Sequence, residues 1–374
     1  MNSRERVLAS LKHKQPDRTP CGYVSTPEIN LLLRKHFQVD AVETDCCVMG
    51  TSYTDHESKQ QMDAVFDQLG VDFRFVGAFY TGPKLKQWPD GRFEDIWGVI
   101  RKPVSNMTAT YYEATDFPYA AFTSAADVEK FRWPKEEWFD FSTIPAQCAK
   151  YKEYAIVFGS PGNMDLINGT AFGRGVEQVL YDIAVEDPVG LACMEKRFEC
   201  CYTLTERALI TASGKIDIVW IGDDYGHQNG LIINPKSLRK LFFPKLRKMC
   251  DLIHKYNAKV MLHSCGATRP IWPDLIDAGV DIYDTVQPEA QGMDPEELKL
   301  LFGNKICFHG TISLQKVLPF GTAADVAEYV TKRIQNVGRN GGLILAPANA
   351  FQPDTPLENI LTMYKTVRES KNVL

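Results

Sequence analysis

No stretch of this 374-residue chain approaches the roughly 20 consecutive apolar residues that a membrane-spanning helix needs. No basic block stands out either: 42 Lys and Arg face 47 Asp and Glu, for a net charge of −5. A nucleic-acid backbone and an anionic membrane surface are therefore disfavoured as partners. The N-terminal stretch "MNSRERVLASLKHKQPDRTP" has no apolar core region and no small-residue cleavage site, so it does not read as a signal peptide, and a cytoplasmic location is expected. No low-complexity linker divides the chain. Cysteine, by contrast, is plentiful at ten residues. In a long, unsecreted chain these are expected to stay reduced. The adjacent pairs Cys46-Cys47 and Cys200-Cys201 cannot easily form unstrained bridges, and most of the ten are expected to be small buried hydrophobes.

What the chain does have is core material, with 44% hydrophobic and 24% charged residues. Eight short apolar runs alternate with helical segments: 21–25, 71–78, 154–160, 216–224, 258–265, 281–287, 305–311 and 342–348. Several are nearly continuous, as strands covered on both faces of a parallel sheet should be. The segments between them carry helix signals: Asn234-Pro235 at one start, Asp294 with Glu297 at another, Thr322 and Gly338 at the ends of a third, and Pro244 as an expected kink. This pattern predicts an α/β fold, a (β/α)8 TIM barrel over residues 1–374 as one domain, with a doubly wound open sheet as the alternative. Residues 79–153 break the alternation. They hold short strand-like pieces and Trp88, Trp97, Trp133 and Trp138. They read as a β-rich insertion after the second strand that caps the C-terminal face, or as an edge elaboration with a structural role only.

Catalytic groups in such barrels lie at the C-terminal strand ends. The ends in question carry Asp72; Asn163 and Asp165; Asp223, Asp224, His227 and Gln228; His263 and Cys265; Gln287 and Glu289; His309; and Asn349 and Gln352. In "VMLHSCG", His263 and Cys265 are two residues apart, so on an extended strand both face one side. Imidazole and thiolate are ordinary zinc ligands, and a catalytic zinc takes three protein ligands and keeps one position open. The alternative is a hydrogen-bonded core histidine beside an inert thiol. If the strand continues through Asp223 and Asp224, they alternate in direction, so one is expected in the pocket and the other in a structural role. Asp72, Asp224 and His309 are candidate acid–base groups. Asn163, Gln287, Asn349 and Gln352 are candidate substrate contacts.

The stretches "SRERVLASLKHKQPDRTP", "GDDYGHQNGLIINP", "HSCG", "DTVQPEAQGMDPEELK", "CFHGTIS" and "FQPDTPLENI" resemble the uroporphyrinogen decarboxylase superfamily, and within it the zinc-dependent, corrinoid-linked methyltransferase branch. The resemblance implies a (β/α)8 barrel. It implies zinc held by His263 and Cys265, and a third ligand, commonly cysteine, in the loop after the last strand. Asn349 stands at that place and is a poor zinc ligand, which leaves His309, Glu289 and Asp224 as candidate replacements. The arginine-rich motif of the true decarboxylases is missing after Pro20. An Asp-x-His-x-x-Gly cobalamin motif is also missing, so a corrinoid would be carried by a partner protein. The implied reaction moves a methyl group between a small methylated substrate, or a thiol or folate acceptor, and that corrinoid protein. The competing reading is a metal-independent decarboxylase or lyase that works on a small carboxylate. A homodimer is compatible with either.

Overall fold

The computed structural model describes residues 1–39, 56–105 and 110–370. Seven parallel strands form one curled sheet: β1 (Phe73–Val76), β2 (Ala155–Gly159), β3 (Ile218–Gly222), β4 (Lys259–His263), β5 (Ile282–Val286), β6 (Cys307–Ile312) and β7 (Leu343–Pro347). They are hydrogen-bonded in chain order, with helices in the connections, as in a TIM-type barrel. The run at 21–25 is no regular strand. It joins the sheet through isolated bridges, Cys21 to Leu345 and Ser25 to Phe351. It nonetheless touches both edges: Gly22 N donates to Leu345 O at 2.9 Å, and Asp72 N donates to Cys21 O at 3.0 Å.

Both faces of the strands are buried, which explains the unbroken apolar runs. Successive residues go to different cores: Ile156 and Phe158 pack with Val219, Ile221, Val260 and Leu262, whereas Ala155 and Val157 pack with Ile218, Trp220 and Met261. The capping signals act as their chemistry requires. Asn234 accepts from Lys236 N, Asp294 from Glu296 N and Glu297 N, and Thr322 forms a reciprocal box with Asp325. Pro244 does not kink a continuous helix. A π-helical turn at Leu238–Phe242 absorbs its missing N–H, and Pro244 falls in the first turn of the helix Phe243–Lys255.

Between β1 and β2 lie a three-stranded antiparallel sheet (Phe93–Glu94, Ile100–Ser105, Thr110–Asp116) and a two-stranded pairing of Phe79–Tyr80 with Phe139–Asp140. Tyr119, Phe131 and Trp133 pack into a small aromatic core beside Cys193. The strand Thr110–Asp116 reaches two other parts of the chain. Thr110 N donates to Glu28 Oε1 at 2.9 Å, and Tyr111 OH donates to Gln352 Oε1 at 2.7 Å.

Eight cysteines among the described residues are free thiols, Cys200 and Cys201 included. Cys46 and Cys47 lie outside the described residues. No helix of the described residues is long and apolar enough to cross a membrane.

Candidate functional site

The geometry starts at the C-terminal end of β4. His263 is the last residue of that strand and pairs in register with Asp284 on β5 and with Gly222 on β3. Its Nδ1 lies 2.6 Å from Asp284 Oδ2. An ionised carboxylate only accepts, so Nδ1 carries the proton and Nε2 is the atom turned to the site. The chain then turns through Ser264 and Cys265 into Gly266, at φ +83. A Cβ there would stand 2.6 Å from the backbone of Gly226 and His227, so only glycine fits this turn. The turn brings Cys265 Sγ to 3.4 Å from His263 Nε2.

Asp224, just past β3, completes the cluster. One oxygen accepts from Cys265 N at 2.8 Å and stands 3.9 Å from His263 Nε2, and the other accepts from Asn168 Nδ2 at 2.9 Å. Asp224, His263 and Cys265 each offer a ligand atom, and these atoms lie within 4.8 Å of one another. All three side chains are partly open to solvent. Asp223 points the other way: it is buried, and its Oδ1 accepts from Ile167 N at the start of the helix Ile167–Arg174. Burial, with Asp165 nearby, raises Asp223 well above the usual carboxylate range. Burial likewise pushes Asp165 up to about 6, with Arg197 opposing and Asp224 adding to the rise.

Asp284 binds the site to the barrel interior. It accepts from His263, from His309 Nδ1 at 2.7 Å and from Trp220 Nε1 at 3.1 Å. Burial alone would raise this carboxyl, yet the two imidazoles hold it well below the ordinary range. Burial also works against a charged His263. The Cys265 sulfur and Asp284 outweigh it, and the imidazole sits well above its usual range. His309 is 1% exposed, and its Nε2 has no hydrogen-bond partner among the described residues. It faces Gly22, where an added Cβ would come within 2.3 Å of Nε2.

The other candidates divide. Gln287 Oε1 accepts from Gly266 N at 2.6 Å and so braces the turn. Asn349 Nδ2 donates to Cys265 Sγ at 3.3 Å, and Gln352 bonds Tyr111. Three more do not join the cluster. Asn163 turns its amide to Thr205, 3.4 Å away. Glu289 is held by Ser313 Oγ. Asp72 precedes β1 instead of following it, so it sits at the opposite end of the sheet. There it is fully buried and ion-paired with Arg6 at 2.7 Å and Arg18 at 2.9 Å. Asp284 is the residue that sequence reasoning passed over. The signal was a carboxylate in the middle of the strand run "DIYDTVQ", which demands a buried partner.

A parallel α/β sheet with convergent His, Cys and Asp side chains at its C-terminal strand ends is the layout of a TIM-barrel enzyme. Residues 174–370, more than half of the chain, match the family described as Uroporphyrinogen decarboxylase (URO-D), and the chain belongs to that family. Among solved structures it is similar to a methyltransferase from Methanosarcina mazei, at a TM-score of 0.66 and 17% identity over 99% of both chains. At that identity the likeness concerns the fold. A looser likeness, at a TM-score of 0.39 and 14% identity, is to Dispersin B, over 84% of this chain and 94% of that one. No curated protein matches the chain.

Proposed function

We propose that this protein is a methyltransferase. It would move a methyl group between a small methylated substrate, or a thiol or folate acceptor, and a corrinoid carried by a separate protein. A zinc ion held by His263, Cys265 and Asp224 would assist. The observation that carries the reading is the three-residue cluster itself: one nitrogen, one sulfur and one carboxylate donor within 4.8 Å, at adjoining strand ends and open to solvent. That donor set fits a catalytic zinc, which takes three protein ligands and keeps a fourth position free. When bound, zinc supplies Lewis-acid chemistry, polarising a substrate atom or keeping a thiol as thiolate near neutral pH.

The chain's own residues have distinct tasks. Asp284 fixes the His263 tautomer and ring orientation and raises the basicity of Nε2, the usual effect of a carboxylate behind a ligating histidine. Asp224 holds the Cys265 backbone while offering its own oxygen. Gln287 fixes the turn through Gly266 N. We read the run 21–25 as the remaining stave of a single (β/α)8 domain, and 79–153 as an insertion over the C-terminal face. The Tyr111–Gln352 bond supports the second point, because it ties that segment to the loop that carries Asn349.

Two observations weigh against the metal-independent decarboxylase or lyase: Asp72 is ion-paired with Arg6 and Arg18, and His309 is buried with its Nδ1 on Asp284. The test is zinc content, followed by an assay that monitors the absorbance of a methylated or reduced corrinoid with candidate methyl donors and acceptors. Zinc-dependent change in corrinoid absorbance is expected. Decarboxylation by metal-free protein would favour the competing reading.

A further inference from the structure

Asn349, in the loop after β7, stands against the sulfur of Cys265. Its amide is oriented by its neighbours. Oδ1 accepts from Ala350 N at 2.7 Å, so the NH2 end is the one turned to Cys265 Sγ, 3.3 Å away. An amide NH2 donates and has no lone pair to give a metal. The loop beneath it is anchored on both sides, by Ala348 N to Ile312 O at 2.9 Å and Phe351 N to Val24 O at 3.0 Å. Ala350 and Phe351 are buried. Asn349 is therefore presented on fixed backbone.

From this geometry, and resting on the zinc reading above, we infer that Asn349 is a positioning residue for the Cys265 thiolate and not a metal ligand. Besides the His263 Nε2 contact, Cys265 is held through its N–H by Asp224 and through its sulfur by the Asn349 N–H. Hydrogen bonds to a metal-bound sulfur draw charge from it and tune the metal it binds. The site is thus a one-thiolate centre in which Asn349 both fixes the sulfur's direction and weakens its electron donation.

The experiment uses Co(II) loaded into the full chain in place of zinc, read by metal content and by the sulfur-to-cobalt charge-transfer absorption. The wild-type protein should take up one equivalent and show the band of a single thiolate. Asn349→Ala should keep the metal and move that band to longer wavelength, because a sulfur freed of its hydrogen bond is more easily oxidised. Asn349→Cys should intensify the band as a second thiolate enters. Loss of cobalt from Asn349→Ala to the extent seen in Cys265→Ala would make Asn349 a ligand and overturn the inference. An unmoved band in Asn349→Ala, or an unchanged intensity in Asn349→Cys, would overturn it as well. A wild-type protein that binds no cobalt and no zinc would overturn the zinc reading itself, and the inference with it.

Discussion

His263 and Asp284 are register partners on adjacent parallel strands, and the imidazole Nδ1 of one lies 2.6 Å from the carboxylate of the other. The same carboxylate holds His309 and Trp220, so one buried charge couples the strand-end cluster to the barrel interior.

Replacing Asp284 should therefore act on metal binding without touching a ligand. In Asp284→Asn the amide can still accept from one imidazole, but its NH2 must face the other. The expected result is a fall in zinc affinity of about 10–100-fold, measured by competition with a chromophoric chelator. Affinity equal to the wild type would show that His263 needs no orienting carboxylate.

Asp72 should behave in the opposite way. It is fully buried, with Arg6, Arg18 and the Cys21 N–H on its two oxygens. Asp72→Ala leaves two guanidinium groups facing a cavity at the N-terminal end of the barrel. A loss of about 3–5 kcal/mol in urea unfolding is expected, the range seen on breaking buried pairs. Zinc bound per folded molecule should be unchanged. A variant of full stability that has lost its metal would mean that Asp72 serves the site after all.

Acid sensitivity should involve the same end of the molecule. Burial tends to raise Asp17, but the Arg6 guanidinium and the chain's N-terminal ammonium outweigh it and lower its pKa from 3.8 to about 2. A depressed carboxyl adds stability that is present above the unfolded value, near pH 4, and is lost as pH falls through about 2. Asp17 is 41% exposed, so solvent screening limits its contribution to about 1 kcal/mol or less. Asp17→Asn should be slightly less stable at neutral pH and should show a shallower decline below pH 4 in unfolding measurements. An acid limb identical to the wild type would remove Asp17 from the account.

Most of the sheet was legible in the sequence because its strands are covered on both faces, and unbroken runs such as "IVWIG" and "AIVFG" leave little room for another reading. The run at 21–25 was less so, because its apolar character reflects burial between two sheet edges and not a regular ladder. His263 and Cys265 do meet, and Asp223 and Asp224 do point apart, but strand alternation is not the reason: the strands end at His263 and Gly222, and the turns that follow set these directions. Asp72 was misjudged by position: at the start of a run it belongs to the N-terminal end of the barrel. Asn163 turns its side-chain amide to Thr205 while its backbone carbonyl accepts from Gly222 N, contacts between separate parts of the chain that spacing cannot encode. The choice of Asp224 over His309 and Glu289 beside His263 and Cys265 depended on Asp284 and Ser313 claiming the other two.

The central claim is that Asp224, His263 and Cys265 form one metal centre. Zinc should be measured by elemental analysis in protein purified without chelators, in the wild type and in His263→Ala, Cys265→Ala and Asp224→Ala, with circular dichroism as the check on folding. Near-stoichiometric zinc in the wild type, lost from each folded variant, is the predicted result. A folded wild-type protein without metal, even after incubation with zinc, would contradict it.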